Sequence, residues 1–90
     1  MKSLPDQVVS YKQTPEFSES TIPAGLLKHH QTKAGVCGKI VVLNGNLLYT
    51  IEQPFEEIVL DSNTFGVVEP AVLHQVKPLG PVRFYVEFYQ

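Results

Sequence analysis

The sequence has little cysteine, little charge and no long apolar run. Its one cysteine, Cys37, cannot form an internal disulfide, which excludes a small scaffold held together by disulfide bonds. Residues 40–43 form the longest aliphatic run, which is far too short to span a membrane, so no membrane partner is expected. Pro5 and Asp6 stand where a signal peptide needs an apolar stretch, and we therefore expect a cytoplasmic protein.

Basic residues are few and scattered. Seven Lys and Arg stand against nine Asp and Glu, and no two basic residues are adjacent. Domains that bind nucleic acid concentrate their basic residues in a patch, so no nucleic-acid partner is expected. Apolar residues make up 43% and charged residues 18%, which excludes a disordered chain. The 90 residues are expected to form one domain, 1–90, with residues 1–10 as a loosely held N-terminal arm.

Proline and glycine punctuate the chain so often that little helix fits. Seven prolines and six glycines leave room for at most one short helix. Residues 83–89 instead alternate between apolar and polar positions, which predicts a strand with Phe84, Val86 and Phe88 on one face.

The clearest turn pattern is Asn44-Gly45, between the apolar residues 39–43 and 47–51. This dipeptide predicts a β-hairpin with a type I′ turn. Residues 78–81 (Pro-Leu-Gly-Pro) predict a second turn. Weaker strand patterns cover residues 7–12, 25–31, 56–60, 65–69 and 73–76. About eight short strands at this spacing predict a closed or double-sheet all-β fold.

Three histidines and one glutamate are the candidates for chemistry. His29 and His30 are neighbours in a predicted strand, so their side chains should point to opposite faces. His74 opens another predicted strand, shortly after Glu69. Two histidines with a carboxylate are a recurrent ligand set for transition metals. The alternatives are that each histidine is a surface or hydrogen-bonded residue, and that Glu69 lies on the solvated face. Cys37 is expected to be a small buried apolar residue.

Several motifs, taken in order, carry a family resemblance. Residues 30–35 read H-x-T-K-x-G, residues 40–47 read I-x-V-L-x-G-x-L, and residues 69–74 read E-P-x-x-x-H. The chain thereby resembles a cupin-like family that includes the N-terminal domain of some tellurite-resistance B (TehB) proteins and the stand-alone YeaR-like proteins. The resemblance spans residues 11–89 and implies a small cupin-type double-stranded β-helix, or jelly roll, with His30 and His74 pointing into the barrel.

The resemblance also implies a binding site. Cupins often hold a divalent metal ion, here Zn, Fe, Mn or Ni, and the implied ligands are His30, His74 and Glu69, with Thr32 and Lys33 at the pocket mouth. The chain departs from the general cupin pattern, because Thr32 replaces the second histidine of the first motif and Gly38 stands in place of its glutamate. Any metal would therefore keep open coordination positions.

Two functions follow from the resemblance. The first is a metal- or small-molecule-binding module without catalytic activity, connected with tolerance of tellurite or another oxyanion. The alternative is a small metal-dependent enzyme with oxygenase- or isomerase-like chemistry in the same pocket. Methyl transfer is not implied, because nothing in the chain resembles a methyltransferase domain. A homodimer is expected, because a thin core and exposed strand edges favour pairing, with Tyr85 and Tyr89 as candidate contacts.

Overall fold

The computed structural model describes residues 1–28 and 30–90. Within these residues the chain forms six strands, which pair in antiparallel fashion, and one 3₁₀ turn, so the all-β prediction is confirmed. The elements are β1 (Ser10–Gln13), β2 (Phe17–Ser18), the 3₁₀ turn Ala24–Leu27, β3 (Cys37–Glu52), β4 (Phe55–Leu60), β5 (Gly66–Val68) and β6 (His74–Tyr89). None of the described residues lies in a helix that is long and apolar enough to cross a bilayer.

The two longest strands show that the predicted hairpin is wrong. β3 and β6 each run for 16 residues, and β3 continues through Asn44 and Gly45 without reversing. A type I′ turn needs a positive φ at both central residues, whereas here only Gly45 has one, at 82°. The predicted turn at residues 78–81 lies inside β6 in the same way. Because the β3–β6 register shifts beside Asn44 and again before Leu47, these turn-forming residues make bulges and not chain reversals.

The bulges fold the sheet over into two layers. In the first layer, the beginning of β3 lies between β5 and the end of β6, and the end of β6 also pairs with β1 and β2. In the second layer, the end of β3 lies between β4 and the beginning of β6. The result is a small β-sandwich of the cupin-like type, in which two pairs of predicted strands have fused into β3 and β6.

The core fills the space between these layers. Phe84, Val86 and Phe88 share the inward face, as predicted, and Phe84 is fully buried. From the second layer, Leu47 and Tyr49 meet them, with exposed fractions of 0% and 1%. Because inward side chains come from both halves of β3 and β6, the two long strands carry most of the packing between layers.

The predicted strand over residues 25–31 is wrong in its first part. Ala24–Leu27 forms the 3₁₀ turn, in which the Leu26 N–H donates to the Pro23 carbonyl oxygen at 2.9 Å. Pro23 precedes the turn with an extended backbone (φ −56°, ψ 137°) and supplies the carbonyl oxygen that closes it. His30 pairs with the sheet through an isolated bridge to His74. His29, which was predicted to face away from His30, lies outside the described residues.

Candidate functional site

The backbone brings His30 and His74 side by side. The backbone N–H of each histidine donates to the backbone carbonyl oxygen of the other, and both N···O distances are 2.8 Å. Directly opposed residues of an antiparallel pair place their side chains on the same face of the sheet. The two imidazole rings accordingly stand edge to face, with their centroids 5.3 Å apart and an interplanar angle of 79°. Two of the three predicted ligands are therefore neighbours.

His74 is the more deeply buried of the two, with an exposed fraction of 4%. Its Nδ1 lies 3.1 Å from the Val72 carbonyl oxygen. A carbonyl oxygen only accepts, so Nδ1 carries the proton in this contact. Burial lowers the pKa of His74, and the nearby His30 acts in the same direction, while the Val72 carbonyl and Glu52 oppose them. The buried imidazole is thus held in its neutral form.

Tyr49 supports His74 from the second layer. The Tyr49 ring packs edge to face against His74, with the centroids 5.8 Å apart. Its hydroxyl donates to the Val67 carbonyl oxygen at 2.9 Å, and burial raises the pKa of Tyr49, so the hydroxyl keeps its proton. Tyr49 is not among the site residues predicted from the sequence. The alternation of Leu47, Tyr49 and Ile51 in a predicted strand was the signal that could have placed it inward.

Both histidines line a cavity between the two layers. Its volume is about 260 Å³, and most of its wall is apolar. Phe84, Val86 and Val76 of β6 and Ile40 of β3 contribute to this wall. Pro23, Gly25 and Leu26 cover one side from the 3₁₀ turn. No Lys, Arg, Asp or Glu of the described part of the chain lines the cavity.

Glu69 does not join the two histidines. It borders a separate surface cleft with Met1 and Lys2, and its carboxylate lies 3.6 Å from the Lys2 Nζ. Among residues 1–28 and 30–90, no three His, Cys, Asp or Glu side chains form a group that could hold a metal ion. The described donors are thus one ligand short of the three protein ligands of a catalytic zinc site.

The two residues predicted at the pocket mouth lie in different environments. Thr32 lines the cavity and is buried, whereas Lys33 is exposed and lies outside the cavity wall. The chain turns between them and β3, where the Val36 N–H donates to the Lys33 carbonyl oxygen at 3.1 Å. This turn directs Thr32 inward and Lys33 towards solvent.

The chain is similar to known proteins along most of its length. The TehB-like domain model matches residues 12–86. The chain belongs to the TehB-like family. A Haemophilus influenzae protein named "Probable S-adenosyl-L-methionine-dependent methyltransferase TehB" is 30% identical over 80 residues, covering 83% of this chain and 28% of that protein. The "Uncharacterized protein YeaR" of Escherichia coli K12 is 23% identical over 99 residues, covering 99% of this chain and 83% of that protein.

Solved structures agree with the fold of this TehB-like chain. A crystal structure of an Escherichia coli K12 protein superposes with a TM-score of 0.91 at 23% identity, covering 100% of this chain and 97% of that one. The crystal structure of TehB from Haemophilus influenzae gives a TM-score of 0.85 at 28% identity, covering 93% of this chain and 32% of that one. The chain spans less than a third of the length of the curated TehB relatives.

Most of the cavity wall of this TehB-like domain was not selected from the sequence. Phe17 packs edge to face on Phe84 with centroids 5.6 Å apart, and both line the cavity. Phe17 belongs to a strand of two residues, which is too short for a periodic pattern. Thr14 and Leu26 lie outside regular strands, so no alternation marks them either.

Proposed function

We propose that this TehB-like domain binds a small, mostly apolar molecule in the cavity between its two layers. The cavity of about 260 Å³ carries the proposal, because an apolar wall with a few convergent polar groups is the usual form of a small-molecule site. His30 and His74 supply the polar groups that would orient the molecule.

The cavity is partly open to the surface, and the 3₁₀ turn forms one side of it. Leu26 is half-buried against the core, while its neighbour Leu27 has an exposed fraction of 41%. No described atom lies within 4 Å of the place where a Cβ on Gly25 would stand. Substitutions in this turn can therefore fill the cavity or leave it open without changing the strands.

The imidazole pair supports a second candidate, a divalent ion of Zn, Fe, Mn or Ni. Two adjacent imidazoles favour it, as does the Val72 carbonyl that holds the Nδ1 proton of His74, since metal-binding histidines usually donate their other N–H in this way. Water or a ligand would have to complete the coordination. The alternative of a metal-dependent enzyme with oxygenase- or isomerase-like chemistry depends on this ion, and we derive no catalytic step from it.

A role in tolerance of tellurite or another oxyanion is retained as the biological setting of the proposal. The cavity itself suits such an anion poorly, because an apolar wall without Lys or Arg in the described part would leave its charge unpaired. The role would therefore act through the bound organic molecule. Methyl transfer, which the name of the TehB relatives states, is not part of the proposal, since the match covers 28% of that protein.

The experiment compares Leu26→Trp with Leu27→Trp by thermal unfolding in the presence of 4-methylanisole. At about ten times its Kd, the compound should stabilise the parent protein by about 1.4 kcal/mol and raise Tm by roughly 6–11 °C. Leu26→Trp should occupy the cavity and remove this rise, whereas Leu27→Trp, on the exposed side of the same turn, should keep it. A rise that survives Leu26→Trp, or that is absent from the parent protein, would contradict the proposal.

A further inference from the structure

The cavity contains few polar groups, and most of their hydrogen-bonding capacity is already used. Four of the lining side chains in the described part of the chain carry polar atoms: Thr14, His30, Thr32 and His74. The hydroxyl of Thr14 donates to the Pro15 carbonyl oxygen at 2.9 Å and accepts from the Val86 N–H at 2.9 Å. Thr14 therefore has no proton to offer a ligand.

The hydroxyl proton of Thr32 is also already donated to the backbone. Its hydroxyl donates to the Val36 carbonyl oxygen at 2.8 Å, and the next acceptor is the Glu69 carbonyl oxygen at 3.4 Å. A hydroxyl has a single proton, and both neighbours are backbone acceptors. Thr32 consequently offers the cavity lone pairs only.

His74 presents an acceptor. Its Nδ1 proton is donated to the Val72 carbonyl oxygen, so the lone pair is on Nε2. Every fully buried side-chain nitrogen or oxygen of the described residues has a hydrogen-bond partner. Nε2 has no partner among those residues, so it is not fully buried. Nε2 must therefore reach the open space of the cavity.

His30 supplies the remaining donor. An imidazole always keeps at least one N–H, and the contact described for the His30 ring is its edge-to-face packing on His74. The polar end of the cavity thus combines a lone pair on His74 with an N–H on His30. A hydroxyl group, which both donates and accepts, satisfies this pair. A carboxylate or an oxyanion only accepts, so it would face the His74 lone pair.

The volume indicates the size of the group that the cavity can surround. A cavity of 150 Å³ holds benzene, and pockets for drug-sized molecules begin near 300 Å³. The 260 Å³ found here suits one ring with a few further atoms.

Granted the proposed function, on which this step rests, we infer that the cavity takes a neutral cyclic alcohol or phenol, whose O–H donates to the His74 Nε2 and whose oxygen accepts from the His30 ring N–H. The apolar ring then lies against Phe17, Phe84 and Val86.

The test titrates the chelator-treated full chain at neutral pH with three probes of similar size, followed by ¹H–¹⁵N NMR. The probes are p-cresol, which donates and accepts, 4-methylanisole, which only accepts, and the anion p-toluate. We expect p-cresol to bind about fivefold to tenfold more tightly than 4-methylanisole, which corresponds to one net hydrogen bond. p-Toluate should be the weakest of the three.

Two variants test whether His74 causes the preference for p-cresol over 4-methylanisole. His74→Phe should bring the affinity for p-cresol to that for 4-methylanisole, and the binding of 4-methylanisole by the same variant shows that its pocket is intact. Lys33→Ala, beside the cavity but outside its wall, should leave the ratio unchanged.

The possible failures are distinguishable. Equal binding of p-cresol and 4-methylanisole by the parent protein refutes the hydroxyl and leaves the pocket proposal standing. Tightest binding of p-toluate, discrimination that survives His74→Phe, or discrimination that requires added Zn²⁺ also overturns the inference. Binding of none of the three probes refutes the pocket and the hydroxyl together.

Discussion

Gly45 and Gly35 provide a matched pair of substitutions that tests how β3 and β6 bend. Both residues have a positive φ, 82° at Gly45 and 81° at Gly35, so alanine is strained equally at either position. Their surroundings differ. A Cβ on Gly45 would overlap the Pro81 carbonyl oxygen and stand 3.0 Å from the Val82 Cα. A Cβ on Gly35 would meet no atom of residues 1–28 and 30–90 within 4 Å.

The expected costs follow from these two environments. The left-handed backbone alone should cost Gly35→Ala about 1–2 kcal/mol of unfolding free energy. Gly45→Ala carries the same cost and also forces two backbones apart, for which overpacking adds about 1–3 kcal/mol. The total of about 2–5 kcal/mol is a large share of the stability of a small domain.

Urea unfolding followed by circular dichroism measures both variants against the parent protein. The quantity that decides is the difference between the two, because it cancels the shared cost of the positive φ. Gly45→Ala should be the less stable by about 1–3 kcal/mol. If the two variants agree to within about 0.5 kcal/mol, Gly45 does not approach Pro81 and the described bend is wrong.

Three further outcomes are expected. Tyr49→Phe should lower the unfolding free energy by about 1–3 kcal/mol, because it leaves the buried Val67 carbonyl oxygen without this donor, and Tyr11→Phe, at a half-exposed position, should change it by less than about 0.5 kcal/mol in the same urea titration. Burial lowers the pKa of His74, so below about pH 6.5 the unfolded chain binds more protons than the folded chain. The unfolding free energy should therefore decrease as the pH is lowered from about 6.5, and it should level off below the lowered pKa. His74→Phe should flatten this part of the curve. Light scattering at micromolar concentration should give a homodimer, about twice the 10.1 kDa of one chain, and a monomer mass would count against that expectation.

Strand content and inward faces could be predicted because they depend on local alternation. Phe84, Val86 and Phe88 are on one face in the sequence pattern and in the structure. The continuity of β3 could not be predicted in this way. Asn44-Gly45 is compatible with a turn or a bulge, and the choice depends on residues 78–82, which lie far away in sequence and bulge opposite them. A tertiary contact overrides the local preference here.

Local alternation also explains why the direction of His74 could be predicted from the sequence and that of Glu69 could not. His74 opens β6 and keeps its period-two relation with Val76, so its inward direction follows from the strand. Glu69 comes directly after β5, which ends at Val68, and the positive φ of Ala71 (58°) shows that the chain turns before β6 begins. Period two ends where the strand ends, so no local pattern could decide the direction of the Glu69 side chain.

The bend that replaces the hairpin also produces the cavity. Gly38 and Ile40 line it from the first half of β3, and Phe84 and Val86 from the second half of β6, all in one layer. His74 belongs to the other end of β6, beyond the bulge, and lines the same cavity. An unbent β6 would separate His74 from Phe84, ten residues further on, by roughly 33 Å, since each residue adds about 3.3 Å. The residues that resemble turns in the sequence are therefore those that bring the His74 imidazole to a mostly apolar wall.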